Sequence, residues 1–128
     1  MLRFRFRTML LAVAVLAVAA LAAIPALGAV VRIGSHVTIS TKAPAFHGRA
    51  VSERHACEVH RRVKLYRQRQ GDDKLLGADR TNQNARWKIV VDPLKSGAYY
   101  ARMKRREEGT AGTTFVCRGD RSKTVVID

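Results

Sequence analysis

Two cysteines, four histidines and ten carboxylates are the residues of this chain that could do covalent, metal or acid–base chemistry. Cys57 and Cys117 form an even pair, and in an oxidising compartment such a pair closes a disulfide. The stretch His55-Ala-Cys57-Glu-Val-His60 offers a rival, because imidazole and thiolate together suit zinc or copper. Its His-x-Cys-x-x-His spacing matches no standard ligand set, so the expectation is a Cys57–Cys117 disulfide with no metal and no cofactor. The acids (Glu53, Glu58, Asp72, Asp73, Asp79, Asp92, Glu107, Glu108, Asp120 and Asp128) lie mostly in segments read as loops, beside arginines or lysines. No two of them share an apolar setting that would raise one pKa for acid–base work. The serines lack a nucleophile elbow, and no glycine-rich loop could cradle a phosphate. The chain therefore reads as a non-enzyme with no catalytic residues.

The remaining chemistry is charge. Lysine and arginine number 24 against 10 acids, a net +14. Arg62 and Lys64, Arg86 and Lys88, and Arg102 and Lys104 fall at the outward positions of three alternating segments. Arg67, Arg69, Arg105 and Arg106 extend the same chemistry into adjoining turns. If those strands share a sheet, the six residues form one basic face that attracts a polyanion, with affinity falling as salt rises. Tyr66 and Tyr100 have the same parity and could stack on sugars or bases. A solvated surface is the competing reading, since outward lysine and arginine also discourage sheet-to-sheet association. The triplet Arg118-Gly119-Asp120 spells an integrin-recognition tripeptide, but a turn tethered by Cys117 accounts for it.

These residues must be positioned by strands. Short β-rich runs recur over residues 37–40, 46–52, 62–68, 75–81, 85–91, 98–104, 113–118 and 123–127, separated by Gly, Pro, Asn, Asp and Ser. Val63 and Leu65 alternate with Arg62, Lys64 and Tyr66; Trp87, Ile89 and Val91 with Arg86 and Lys88; Tyr99, Ala101 and Met103 with Tyr100, Arg102 and Lys104. Half-buried antiparallel strands read this way, and seven or eight of them predict an all-β, two-sheet sandwich. Asn84 is expected in a left-handed conformation in the turn 81–84, and Pro93 marks residues 92–97 as a connection between sheets. Residues 105–112, charged and with two glycines, are expected to be the most mobile loop.

Ahead of the strands, Arg3, Arg5 and Arg7 precede an uncharged run from Thr8 to Val31, the layout of an export signal. Pro25 and the small residues Ala26 and Gly28 predict cleavage after Gly28. An uncleaved membrane anchor reaching residue 31 is the alternative. Without Arg3, Arg5 and Arg7 the chain keeps 21 basic and 10 acidic residues, a charge of +11, so the basicity belongs to the domain. The expected organisation is a signal peptide at 1–28, an N-terminal extension or first strand at 29–45, and the sandwich domain at 46–128. The expected location is outside the cell, or on the outer face of the cytoplasmic membrane.

Phe46-His-Gly-Arg-Ala-Val-Ser52, Val63-Lys-Leu65, Thr81 leading to Trp87, and Gly97-Ala-Tyr99-Tyr-Ala101 together resemble a prealbumin-like domain of the carboxypeptidase-regulatory or transthyretin-like kind. The likeness covers roughly residues 46–103, with Ala85 standing where those domains usually have a turn glycine. An immunoglobulin-like sandwich is the alternative fold. The whole pattern also resembles small secreted bacterial proteins of unassigned activity. The resemblance implies a structural or adhesive module and carries over no catalytic residue. The expected function is thus a non-catalytic secreted or cell-surface interaction module. One alternative is a binder of anionic envelope polymers, with no nucleic acid expected and membrane contact only through an uncleaved N-terminal helix. Another is a secreted hydrolase inhibitor that inserts the 105–112 loop into its target.

Overall fold

The alternating segments fold as extended strands because only an extended chain puts every second side chain on one face. The structure is a computed structural model that describes residues 28–128; the export segment read from the sequence lies almost wholly outside them. The described chain is all-β apart from one turn of 3-10 helix, His55–Cys57, between β4 and β5. Its strands are β1 Ala29–Ile33, β2 Ser35–Val37, β3 Ser40–Lys42, β4 Ala45–Ser52, β5 Arg62–Arg67, β6 Lys74–Arg80, β7 Arg86–Val90, β8 Gly97–Met103, β9 Arg106–Thr110, β10 Thr113–Cys117, β11 Asp120–Arg121 and β12 Val125–Ile127. The number exceeds expectation for physical reasons. The run 37–40 is not one strand, because the chain breaks at Thr38 and Ile39 and its two halves pair separately with β4. β9 and β11 are charged and carry no alternating apolar signal.

Two sheets face one another across a single core in a sandwich-like arrangement. In one, β4 lies between β7 and the broken edge formed by β2 and β3. In the other, β8 and β5 are interior, β6 flanks β5, and β11 and β12 share the far side of β8. The first sheet contributes Phe46, Ala50, Trp87 and Ile89 to the core, with Val37 and Ile39 from residues 29–45. The second contributes Val63, Leu65, Tyr99, Ala101 and Met103. The Phe46 and Tyr99 rings meet with centroids 4.7 Å apart. A small third sheet, β1-β10-β9, joins β1 in parallel to β10. The connection through Pro93 does carry the chain from one main sheet to the other, from β7 to β8.

Gly48 explains how the broken edge closes over the core tryptophan. A Cβ there would stand 1.9 Å from the Thr38 carbonyl oxygen. That same carbonyl accepts the Trp87 indole N–H at 3.1 Å. Only a residue without a side chain lets β4 approach so closely.

Two expectations need correction. The left-handed residue before Trp87's strand is Ala85 (φ 62°), not Asn84. The Asn82 side chain takes the N–H groups of Asn84 and Arg86, and this tight turn forces the next position into the region glycine favours. Replacing Ala85 with glycine should therefore stabilise the protein by about 0.5–1 kcal/mol. Relief of the left-handed cost, about 1–2 kcal/mol, outweighs the added freedom of the unfolded chain. Urea denaturation followed by Trp87 fluorescence measures this, and a loss of stability would refute it. The second correction concerns residues 105–112, which are not an open loop. Residues 106–110 form β9 and pair antiparallel with β10 around a turn at Gly112 (φ 81°).

Candidate polyanion-binding face

Antiparallel pairing places directly opposed residues on one face, and the register of the five-stranded sheet aligns its outward cations in rows. Arg62 lies opposite Arg80, and the Lys104 amide bonds to the Arg62 carbonyl on the other side. One step along, Lys64 lies opposite Arg102, which lies opposite Arg121. Six cations thus share the outer face of four neighbouring strands. Lys64, Arg102, Lys104, Arg105 and Arg121 line an open groove of about 570 Å³ together with Tyr66. Among the described residues, none of Arg62, Lys64, Arg80, Arg102, Lys104 and Arg121 has a carboxylate within 4 Å. The one acid lining the groove, Asp120, accepts the Val37 amide at 2.8 Å and faces His36.

The six residues singled out from the sequence do not form one face. Arg62, Lys64, Arg102 and Lys104 come together on the five-stranded sheet. Arg86 and Lys88 lie on β7, in the opposite sheet, facing the other way. Alternation reports which side of its own sheet a residue takes, but not which sheet it joins. The sequence reading also missed Arg80 and Arg121; in the run 75–81 Arg80 shares its parity with Leu76 and Ala78, so alternation there does not mark an outward side. Of the flanking arginines, Arg106 is consumed internally, donating to the carbonyls of Ala56, Val59 and His60 and to Glu108. Arg105 pairs with Glu107 at 2.6 Å.

Tyr66 and Tyr100 do share this face, but they stack on each other, with centroids 5.4 Å apart and rings within 14° of parallel. The Arg121 guanidinium covers the outer side of the Tyr100 ring at 3.7 Å. Tyr100 is consequently buried and offers no open ring. Its hydroxyl donates to Asp73. Burial first, and then this hydrogen bond, hold its phenol above the ordinary value of 10, against the opposing pull of Arg121 and Arg102. The unfolded tyrosine loses its proton first, so the stability tied to this phenol is present below pH ~10 and is lost as pH rises beyond it. Tyrosinate absorbance, with Tyr100→Phe as the blank, should show Tyr100 ionising above the free phenol. Asp73→Asn should bring it down; no change would mean that burial alone sets it.

Away from the face, Cys57 and Cys117 are paired at disulfide distance with Cα atoms 5.4 Å apart, both fully buried. The imidazole of His55 lies 3.3 Å from the Glu58 carboxylate, and Cys57 is turned inward to Cys117. The Arg118-Gly119-Asp120 triplet is the link between β10 and β11. A Cβ at Gly119 would stand 3.0 Å from the Met103 carbonyl oxygen, and the Asp120 carboxylate accepts the Val37 amide. The residue the sequence reading overlooked is Arg61, fully buried beside the cysteine pair. One of its terminal nitrogens donates to Ser35 Oγ and the Cys57 carbonyl at 3.1 and 2.7 Å. The other donates to the carbonyls of Lys104 and Arg118 at 2.8 and 2.9 Å. Burial, with Arg106 nearby, lowers its pKa to about 10, which still leaves it charged at neutral pH.

Comparison of the chain with family models and with curated proteins finds no match.

Proposed function

We propose that this protein is a secreted, non-catalytic, prealbumin-like module, locked by Cys57–Cys117, that binds anionic envelope polymers through the outer face of its five-stranded sheet. The observation that carries this reading is the direct opposition of like charges on interior strands. Arg62 against Arg80, Lys64 against Arg102 and Arg102 against Arg121 each repel, and such pairs destabilise a sheet. Charges that serve only to keep sheets apart belong on edges, whereas β5 and β8 are interior. A row of unpaired cations beside a groove is relieved by a polymer that brings the missing anions. The export-signal layout of the first 28 residues supports placing that polymer outside the cell.

The test is retention on immobilised long-chain polyphosphate, and on a carboxylate polymer, across a salt series. Lys64→Glu with Arg102→Glu should move elution to clearly lower salt and flatten the log–log salt slope by about two, one for each lost contact. Arg32→Glu with Arg118→Glu makes the same change in net charge at two exposed positions, one on β1 and one in the link after β10, and should leave elution close to that of the unaltered protein. Equal shifts for the two variants would reduce the effect to net charge and overturn the proposal. So would absence of retention at low salt on either polymer.

A further inference from the structure

The residues that left the first face build a second one. On the outer side of the other sheet, Arg49 lies directly opposite Arg86, and His47 opposite Lys88. All four are exposed, and Arg49 sits on β4, an interior strand. The nearby acids are engaged elsewhere. The Asp79 carboxylate accepts the amides of Arg80 and Lys88, and Glu58 takes the amide of Ser52 and faces His55. Among the described residues neither Arg49, Arg86 nor Lys88 has a carboxylate within 4 Å. The same like-charge opposition therefore recurs on both outer surfaces of the molecule. The faces approach at the β6–β7 rim, where Arg80 lines an open groove with His47, Arg86 and Lys88. Their centres, Lys64/Arg102 and Arg49/Arg86, nonetheless lie on the outer sides of opposite sheets, and sheets in a sandwich stand about 10 Å apart. The separation of the two charged layers exceeds the Debye length of about 8 Å at physiological salt, so each attracts an anion independently of the other.

We infer that the protein is bivalent: it bridges two anionic polymer chains, one on the Lys64/Arg102 face and one on the Arg49/Arg86 face. This rests on the polyanion-binding reading above and adds cross-linking to it. The two faces are covalently one rigid unit through the shared core, so holding one polymer presents the second face to another at high local concentration. The monomer suffices for bridging, and no self-association is required.

The experiment is a sandwich capture. Beads carrying long-chain polyphosphate are loaded with the full domain, washed, and offered fluorescent long-chain polyphosphate. The unaltered protein should recruit label to the beads. Lys64→Glu with Arg102→Glu, and separately Arg49→Glu with Arg86→Glu, should each remain on the beads at low salt yet recruit label only at the protein-free background. Combining all four should abolish retention, and Arg32→Glu with Arg118→Glu should still recruit label. Circular dichroism and thermal melts verify that each variant is folded. Retention of the unaltered protein without recruited label overturns bivalency while leaving single-face binding standing, and is the result expected if one polymer wraps both faces. Undiminished recruitment by either single-face variant also overturns it. Absence of retention overturns the binding reading itself.

Discussion

Replacing Arg61 with alanine is expected to destabilise the protein by about 3–5 kcal/mol. The guanidinium is fully buried and satisfies three carbonyls and one hydroxyl drawn from four separate segments: Ser35, Cys57, Lys104 and Arg118. Its charge is compensated by carbonyl dipoles, since no carboxylate lies within 4 Å. Truncation leaves those acceptors buried without donors and opens a cavity, and removing one member of a buried charged network costs several kcal/mol. Lysine cannot restore the bonds, because a point ammonium lacks the fork that reaches both pairs of acceptors. Arg61→Met separates the two contributions by filling the space while removing the donors. Urea titration reports all three variants. A methionine variant as stable as the unaltered protein would show that the carbonyl bonds contribute nothing net.

The second large effect is loss of the cysteine pair. Cys57 and Cys117 are 60 residues apart in sequence, and cross-linking such a loop restricts the unfolded chain by about 4 kcal/mol. In a domain of this size, whose net stability is about 5–15 kcal/mol, that is a large fraction of the total. Changing both cysteines to alanine should lower the melting temperature by roughly 15–30 °C. Intact mass under non-reducing conditions, two hydrogens below the reduced value, verifies the bond beforehand. The two losses should not add. Arg61 ties the Cys57 carbonyl to the Arg118 carbonyl, the same two segments that the sulfurs join. Once the cysteines are gone, removing Arg61 should cost less than it does in the intact protein. Strict additivity in the double-mutant cycle would mean that the two ties act on different openings of the structure.

Much of the fold was legible because period-two alternation is a local property. Val63 and Leu65, Trp87 and Ile89, and Tyr99, Ala101 and Met103 all lie in the core where their parity puts them. Arg61 was legible by the same rule, since it shares the parity of Val63 and Leu65. Its residue type points to solvent, and the two signals conflict at that position. Sheet membership is not local. Nothing in Arg86-Trp-Lys88 distinguishes a strand beside β5 from one beside β4, and for that reason two of the six residues singled out fell on the other sheet. The strand β9, Arg-Glu-Glu-Gly-Thr, is held by pairing with β10 and not by burial of an apolar side, so composition read it as a loop. Tyr100 has outward parity and is nonetheless buried, because Arg121 arrives over it from a two-residue strand that no periodicity could announce.

The parallel pairing of β1 with β10 has a consequence for the order in which the chain can fold during synthesis. Ala29 is registered with Thr113, and its amide bonds to the Gly112 carbonyl. Cys57 waits for Cys117, and Arg61 waits for Arg118, in the same way. A chain emerging N-terminus first therefore holds its first strand, its first cysteine and its buried arginine unpartnered until nearly the whole sequence has appeared. Contacts of this separation are slow to form, because loop closure precedes any reward. Until then Ala29–Ile33 has no partner strand, so the small third sheet and the two long-range ties close last.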